Sequence, residues 1–143
     1  MAFVQDTLII EGSIATNNLD ANAMASRADQ NVLGREALVY RAAVAGVGNT
    51  DVTLQQAVRV LAVWCVKTGG AGAGGDTITV SNGASAITNA MVTNVADTTV
   101  VRATSVDRTN ANIAAGGTLR YTGAGAATNA AIVYVLAARN SGA

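Results

Sequence analysis

The stretch Ala57–Lys67, AVRVLAVWCVK, decides the fold class of this chain, because it has the length of a strand and is apolar on both faces. In an extended strand, successive side chains point to opposite faces. One face then carries Val58, Val60, Ala62, Trp64 and Val66, and the other carries Leu61, Val63 and Cys65 between Arg59 and Lys67. A strand at the surface of a single domain normally alternates apolar and polar residues, so this one needs two covers.

The last strand, Ala130–Arg139, has the same two-sided pattern. Ile132, Tyr134 and Leu136 lie on one face, and Val133 and Val135 lie on the other. The second cover could be a loop of the same chain, and a buried helix would give a similar composition. In a small β protein the second cover is often another subunit, and we favour that interpretation. The predicted subunit contact consists of Arg59, Leu61, Val63, Lys67, Val133 and Val135.

The choice between helix and strand is least certain over Leu54–Lys67. Thr53 and Gln56 have the spacing of a helical capping box, whereas the valines and Trp64 favour a strand from about Ala57. We predict the strand. Further strands are predicted at Thr7–Ile14, Val32–Ala45, Asp76–Val80, Thr98–Val106 and Thr118–Thr122.

Glycine and asparagine separate these predicted strands. Turns or loops are expected at Gly46–Asp51, Gly69–Gly75 and Ser81–Gly83, and one helical turn at Ala86–Met91. About eight short strands with such turns are typical of a small all-β jelly roll or β-sandwich. We therefore predict one β-sandwich domain over residues 1–143. The polar segment at residues 15–31 is compatible with a short helix or an extended arm.

Composition argues against several classes of function. Nine basic and nine acidic residues cancel, and no basic block is present that could neutralise nucleic-acid phosphates. Histidine is absent, and the single cysteine, Cys65, is predicted to be a small buried side chain. We expect no enzyme, cofactor, metal or small-molecule substrate. The first residues lack the basic region of a secretory signal, and no apolar run is long enough for a membrane helix, so we expect synthesis in a cytoplasm.

Two patterns that suggest ligand sites have simpler explanations. Residues Gly70–Gly75 match the glycine spacing of a dinucleotide-binding loop, but a predicted strand follows them where that loop requires a helix. Asp76, Asp97 and Asp107 are too scattered for a calcium site or for a pair of catalytic carboxylates. Each of these aspartates lies at a predicted strand end, where turn and cap roles account for it.

The region from Gly75 to Ala138 resembles the small jelly-roll capsid cement, or decoration, proteins of tailed bacteriophages. The similarity rests on Gly-Asp-x-Ile-x-Val at Gly75–Val80, Ala-Ile-x-x-Ala at Ala86–Ala90 and Ala-Gly-Gly-Thr-Leu-Arg at Ala115–Arg120. It covers a little under half of the chain. The resemblance implies a homotrimer over the junctions of major capsid proteins, with structural residues and no catalytic ones.

A structural virion protein on the outside of a phage capsid is therefore the expected function. A cement protein needs a β body, an oligomer contact and no active site, and it gains avidity by engaging several lattice subunits together. Two alternatives remain open. One is a head-fibre, tail or receptor-binding module on the same sandwich, and the other is a non-viral carbohydrate-binding sandwich, which would need exposed aromatic side chains.

Overall fold

The computed structural model describes residues 37–140, which belong to one unit of the chain, Ala37–Ala143. These residues form ten strands and no helix. The strands are β1 (Ala37–Ala45), β2 (Gly48–Thr53), β3 (Val58–Lys67), β4 (Thr77–Asn82), β5 (Ser85–Ala86), β6 (Met91–Val92), β7 (Val100–Arg102), β8 (Asn112–Ile113), β9 (Thr118–Ala124) and β10 (Ala130–Arg139). The predicted strand at Thr7–Ile14 and the segment 15–31 lie outside the described residues, and the single domain over 1–143 stays a prediction.

The strands form two antiparallel sheets. The large sheet has the order β1-β10-β3-β7, and β8 also pairs with β3. The small sheet has the order β2-β9-β4-β5, and β6 also pairs with β4. The chain crosses between the sheets at most of its connections, and β4 to β6 follow one another within the small sheet, which is the connectivity of a double Greek-key jelly roll. Because β5 with β6, and β7 with β8, each fill one strand position, the ten strands occupy the eight positions of that fold.

One apolar core lies between the sheets. The large sheet contributes Val44, Val58, Val133 and Val135, and the small sheet contributes Ile78, Val80, Leu119 and Tyr121, all of which are buried. Most of these side chains are small or β-branched, which suits the pleated inner face of a sandwich. The prediction of an all-β sandwich is therefore confirmed.

A glycine allows the two sheets to meet at one corner. Gly123 in β9 faces the turn between β1 and β2, and a Cβ atom there would lie 2.1 Å from the carbonyl oxygen of Gly46. Gly46 itself has a φ of 104° and lies at the bend that takes the chain from one sheet to the other. A side chain at position 123 would therefore push the turn away from β9.

Several local predictions differ from the structure. The turn predicted at Gly46–Asp51 is limited to the bend at Gly46 and Val47, because Gly48–Thr53 pairs with β9 as strand β2. Residues 86–91 contain no helical turn, since their backbone pairs with β4 and bridges to Val106. By contrast, the strand predicted from about Ala57 is confirmed, as Val58–Lys67.

Candidate functional site

A β-bulge in β3 determines which of its side chains face the core. Leu136 pairs with Ala62, whereas the next residue, Ala137, pairs with Val60, so Leu61 is an extra residue in the ladder. A bulge of this kind shifts the inward–outward alternation by one residue. The residues that face the core are therefore Val58 and Val60 before the bulge, and Val63, Cys65 and Lys67 after it.

The predicted subunit contact is wrong for four of its six residues. Val63, Lys67, Val133 and Val135 are buried in the core of the same subunit. Val133 pairs with Cys65 and Val135 pairs with Val63. The side chains of directly paired residues lie on the same side of a sheet, and here that side faces the core. Arg59 and Leu61 remain at the surface, and Leu61 is 50% exposed.

The opposite side of the large sheet is the candidate functional site. Its side chains point away from the core, and we call this surface the outer face. Neighbouring residues form four rows across the strands: Ala43, Ile132, Val66 and Val100; Arg41, Tyr134, Trp64 and Arg102; Val39, Leu136 and Ala62; and Ala37, Ala138 and Arg59. Val39 and Val100 are among the most exposed large apolar side chains.

Two aromatic rings form the centre of the outer face. The Trp64 and Tyr134 rings are stacked, with centroids 5.7 Å apart and an angle of 13° between their planes. The guanidinium carbon of Arg102 lies 5.8 Å from the Trp64 ring centroid. Tyr134 and Arg102 belong to the strands on either side of Trp64, so one packs against the indole ring from each side.

The outer face is apolar with a basic border. Arg41, Arg59 and Arg102 are its only charged residues, and each is exposed. Within residues 37–140 the ion pair that is formed joins Arg120 to Asp51, and it lies on the small sheet. A partner that covers the outer face would therefore meet apolar side chains and three positive charges.

A buried polar network closes one end of the sandwich. The Lys67 ammonium donates to the carbonyl oxygens of Thr68 and Thr128 at 2.8 and 2.9 Å. The Asp76 carboxylate accepts from the backbone N–H groups of Ala73 and Ala126, both at 2.8 Å. Those N–H groups hold the pKa of Asp76 below its usual range, and Lys67 adds to the effect. Asp76 thus has the structural turn role that the sequence predicted.

The remaining candidate groups are structural or inert. Asp107 accepts from the N–H of Thr109 at 2.8 Å, as a turn residue does. Burial raises the pKa of the Cys65 thiol to about 11, so little of it is the nucleophilic thiolate near neutral pH. Between Ala37 and Asn140 no group of three histidine, cysteine or acidic residues is placed to hold a metal ion.

The sequence contained one signal for the outer face. Arg41 lies opposite Tyr134, which lies opposite Trp64, so the charge on β1 marks the exposed side of that row.

The described part of the chain has no helix that is long and apolar enough to cross a membrane. Comparisons of the chain with protein families, with curated proteins and with solved structures find no match.

Proposed function

We propose that this chain is a structural virion protein that assembles as a homotrimer and stabilises the outside of a phage capsid lattice. The observation that carries the proposal is the outer face of the large sheet. It is half-buried or exposed, mostly apolar, and continuous over four strands. Large apolar patches on a soluble protein mark contact surfaces, because their contact with water is unfavourable.

The subunit contact is assigned to this outer face in place of the residues that the sequence suggested. Val39, Leu136 and Ile132 supply apolar area near the stacked Trp64–Tyr134 pair. Buried aromatic side chains with apolar neighbours are the usual centre of a protein interface. The arginines at the border would lie on its polar rim.

The virion role is supported by the resemblance over Gly75–Ala138, and the jelly-roll connectivity is compatible with it. The stack on the outer face favours a protein contact over a carbohydrate platform. A platform presents one free aromatic face to a sugar ring, whereas both faces of Trp64 are covered by Tyr134 and Arg102.

The oligomer is tested with two lysine substitutions on opposite surfaces of the sandwich. Leu136→Lys introduces a cation into the apolar outer face, and Thr79→Lys introduces one into the outer surface of the small sheet. By mass photometry, we expect the wild type and Thr79→Lys at about three times the 14.3 kDa chain mass. Leu136→Lys should be monomeric with unchanged β circular dichroism. A monomeric wild type, or equal behaviour of the two variants, contradicts the assigned contact.

The location is tested on virions purified from the strain whose genome encodes this sequence. We expect mass spectrometry to detect the chain in intact particles and immunogold labelling to mark the head. Particles that lack the chain should lose their DNA at a lower temperature than complete ones. Labelling of the tail, or absence from the particle, would contradict the capsid role and leave the oligomer result standing.

A further inference from the structure

A groove of about 550 Å³ lies at the edge of the outer face, between the middle of β3 and the loop that follows β7, and it shares Arg59, Ala62 and Arg102 with that face. One wall is formed by residues 59–63, including the bulge at Leu61, and the other by residues 102–106 with Arg108. The apolar side chain of Leu61 is 50% exposed at this place. The groove therefore combines an apolar wall with three arginines.

The loop wall is held in place by hydrogen bonds, so the groove is formed before anything binds. The N–H of Ala103 donates to the carbonyl oxygen of Val63 at 3.0 Å. The N–H groups of Thr104 and Ser105 donate to the side-chain oxygen of Asn89 at 2.9 and 3.1 Å. Preformed sites avoid the entropy cost of ordering a loop on binding.

The arginines of the groove have no carboxylate to pair with among the described residues. The ion pair of residues 37–140 is made by Arg120, away from Arg59, Arg102 and Arg108. The nearest acid in sequence, Asp107, already accepts from the N–H of Thr109 and from the side chain of Asn110. Within residues 37–140, Arg59, Arg102 and Arg108 thus form no ion pair, and these three guanidinium groups outnumber the single carboxylate of Asp107 next to them.

We propose that this groove binds an acidic peptide segment of a partner protein. Its carboxylates would bind the guanidinium groups of Arg59, Arg102 and Arg108, since carboxylate is the ligand that the planar guanidinium fits best. An apolar side chain of the segment would pack against Leu61. This inference goes beyond the proposed function, because it holds for an acidic partner of any origin.

A peptide is favoured over a nucleic acid by the character of the walls. Single-stranded nucleic acids bind through free aromatic faces on which bases stack. Trp64, the aromatic side chain next to Arg102, has both faces covered. The exposed apolar group of the groove is Leu61, which a peptide side chain can contact and a phosphate backbone cannot.

The test uses the full chain and three fluorescein-labelled probes in fluorescence polarisation. The first probe is the peptide Asp-Leu-Glu-Asp-Leu-Glu, the second is its Asn/Gln counterpart, and the third is a six-nucleotide DNA strand. Trp64 is the only tryptophan, so its emission reports binding beside Arg102 with unlabelled probes. We expect saturable binding of the acidic peptide alone, weakening as salt is raised, with a change in Trp64 emission.

Matched substitutions locate the binding site. Arg108→Gln should weaken binding of the acidic peptide about two- to fivefold, the range of one exposed ion pair. Arg120→Gln removes the same charge from the small sheet and should leave the affinity unchanged. Equal loss in both variants, equal affinity for the Asn/Gln peptide, or tighter binding of the DNA would overturn the proposal. None of these outcomes bears on whether the chain is a trimer.

Discussion

The two sheets share one core but present opposite surfaces to the outside. The small sheet carries threonines, Thr53, Thr77, Thr79, Thr118 and Thr122, and the Arg120–Asp51 ion pair with a 2.7 Å contact. The large sheet carries valine, isoleucine, leucine and two stacked aromatic rings at the equivalent outward positions. The outward surface of the small sheet is thus polar and suited to water, whereas the outer face of the large sheet leaves apolar side chains in contact with water.

The largest expected loss of stability comes from a substitution on the core-facing side of the large sheet, and the matched substitution on its outer face should spare the fold. Val133→Asp places a carboxylate in the core, where it has no partner, and should cost about 4 kcal/mol or more, enough to unfold the chain. Ile132→Asp, one residue earlier on the outer face, should leave the β circular dichroism intact and abolish assembly. A folded Val133→Asp variant would show that the inward assignment of β10 is incorrect.

A smaller loss of stability, at acidic pH, is expected at the end of the sandwich that the polar network of Lys67 and Asp76 closes. Because the pKa of Asp76 is lower in the folded chain than in the unfolded chain, its ionised form stabilises the fold above about pH 4. This stabilisation is lost as the pH falls through the lowered pKa. Asp76→Asn should therefore be less stable at pH 7 and lose less stability between pH 5 and pH 2.

Urea unfolding at fixed protein concentration measures this pH dependence. Asp97→Asn, at an exposed carboxylate, is the matched control and should follow the wild-type curve. If Asp76→Asn and the wild type lose stability in parallel over this pH range, the network around Asp76 is not what makes the fold acid-sensitive.

The smallest expected change in the free energy of unfolding comes from a tyrosine on the core-facing side of the small sheet. The Tyr121 hydroxyl is buried and has no hydrogen-bond partner among residues 37–140, and burial raises its pKa. Tyr121→Phe removes the unsatisfied group and should raise the free energy of unfolding by about 0–1 kcal/mol. Tyr40→Phe, at a partly exposed ring, should change it less. A clear destabilisation by Tyr121→Phe in urea unfolding would indicate a partner for the hydroxyl.

The fold class was predictable because the signals for it are local. Apolar runs rich in β-branched residues, such as Ala130–Arg139, predicted the strands. The turn predicted at Ser81–Gly83 lies slightly later, at Gly83 and Ala84, because Ser81 and Asn82 still pair with β9 as the end of β4. The faces of β3 were not predictable, because alternation assumes a regular ladder and the bulge at Leu61 interrupts it. Nothing in the run VRVLAVW distinguishes the residue that is extra from its neighbours.

Lys67 shows a second limit of prediction from pattern. A lysine at a strand end is normally solvated, so the sequence placed it at the border of a surface contact. In the structure it is buried, because its ammonium group donates hydrogen bonds to the carbonyl oxygens of Thr68 and Thr128. One of those partners is 61 residues away, and no local pattern reports such a contact.

The extra residue in β3 also bears on how this chain can change in length. If Leu61 were deleted, the remaining residues of β3 would alternate without interruption, and Val60 and Val63 would still face the core. A deletion or insertion elsewhere in a regular strand exchanges its inner and outer side chains. Position 61 is therefore a place where a homologous chain can be one residue shorter and keep the same core, while the twist of the strand and the groove beside it change.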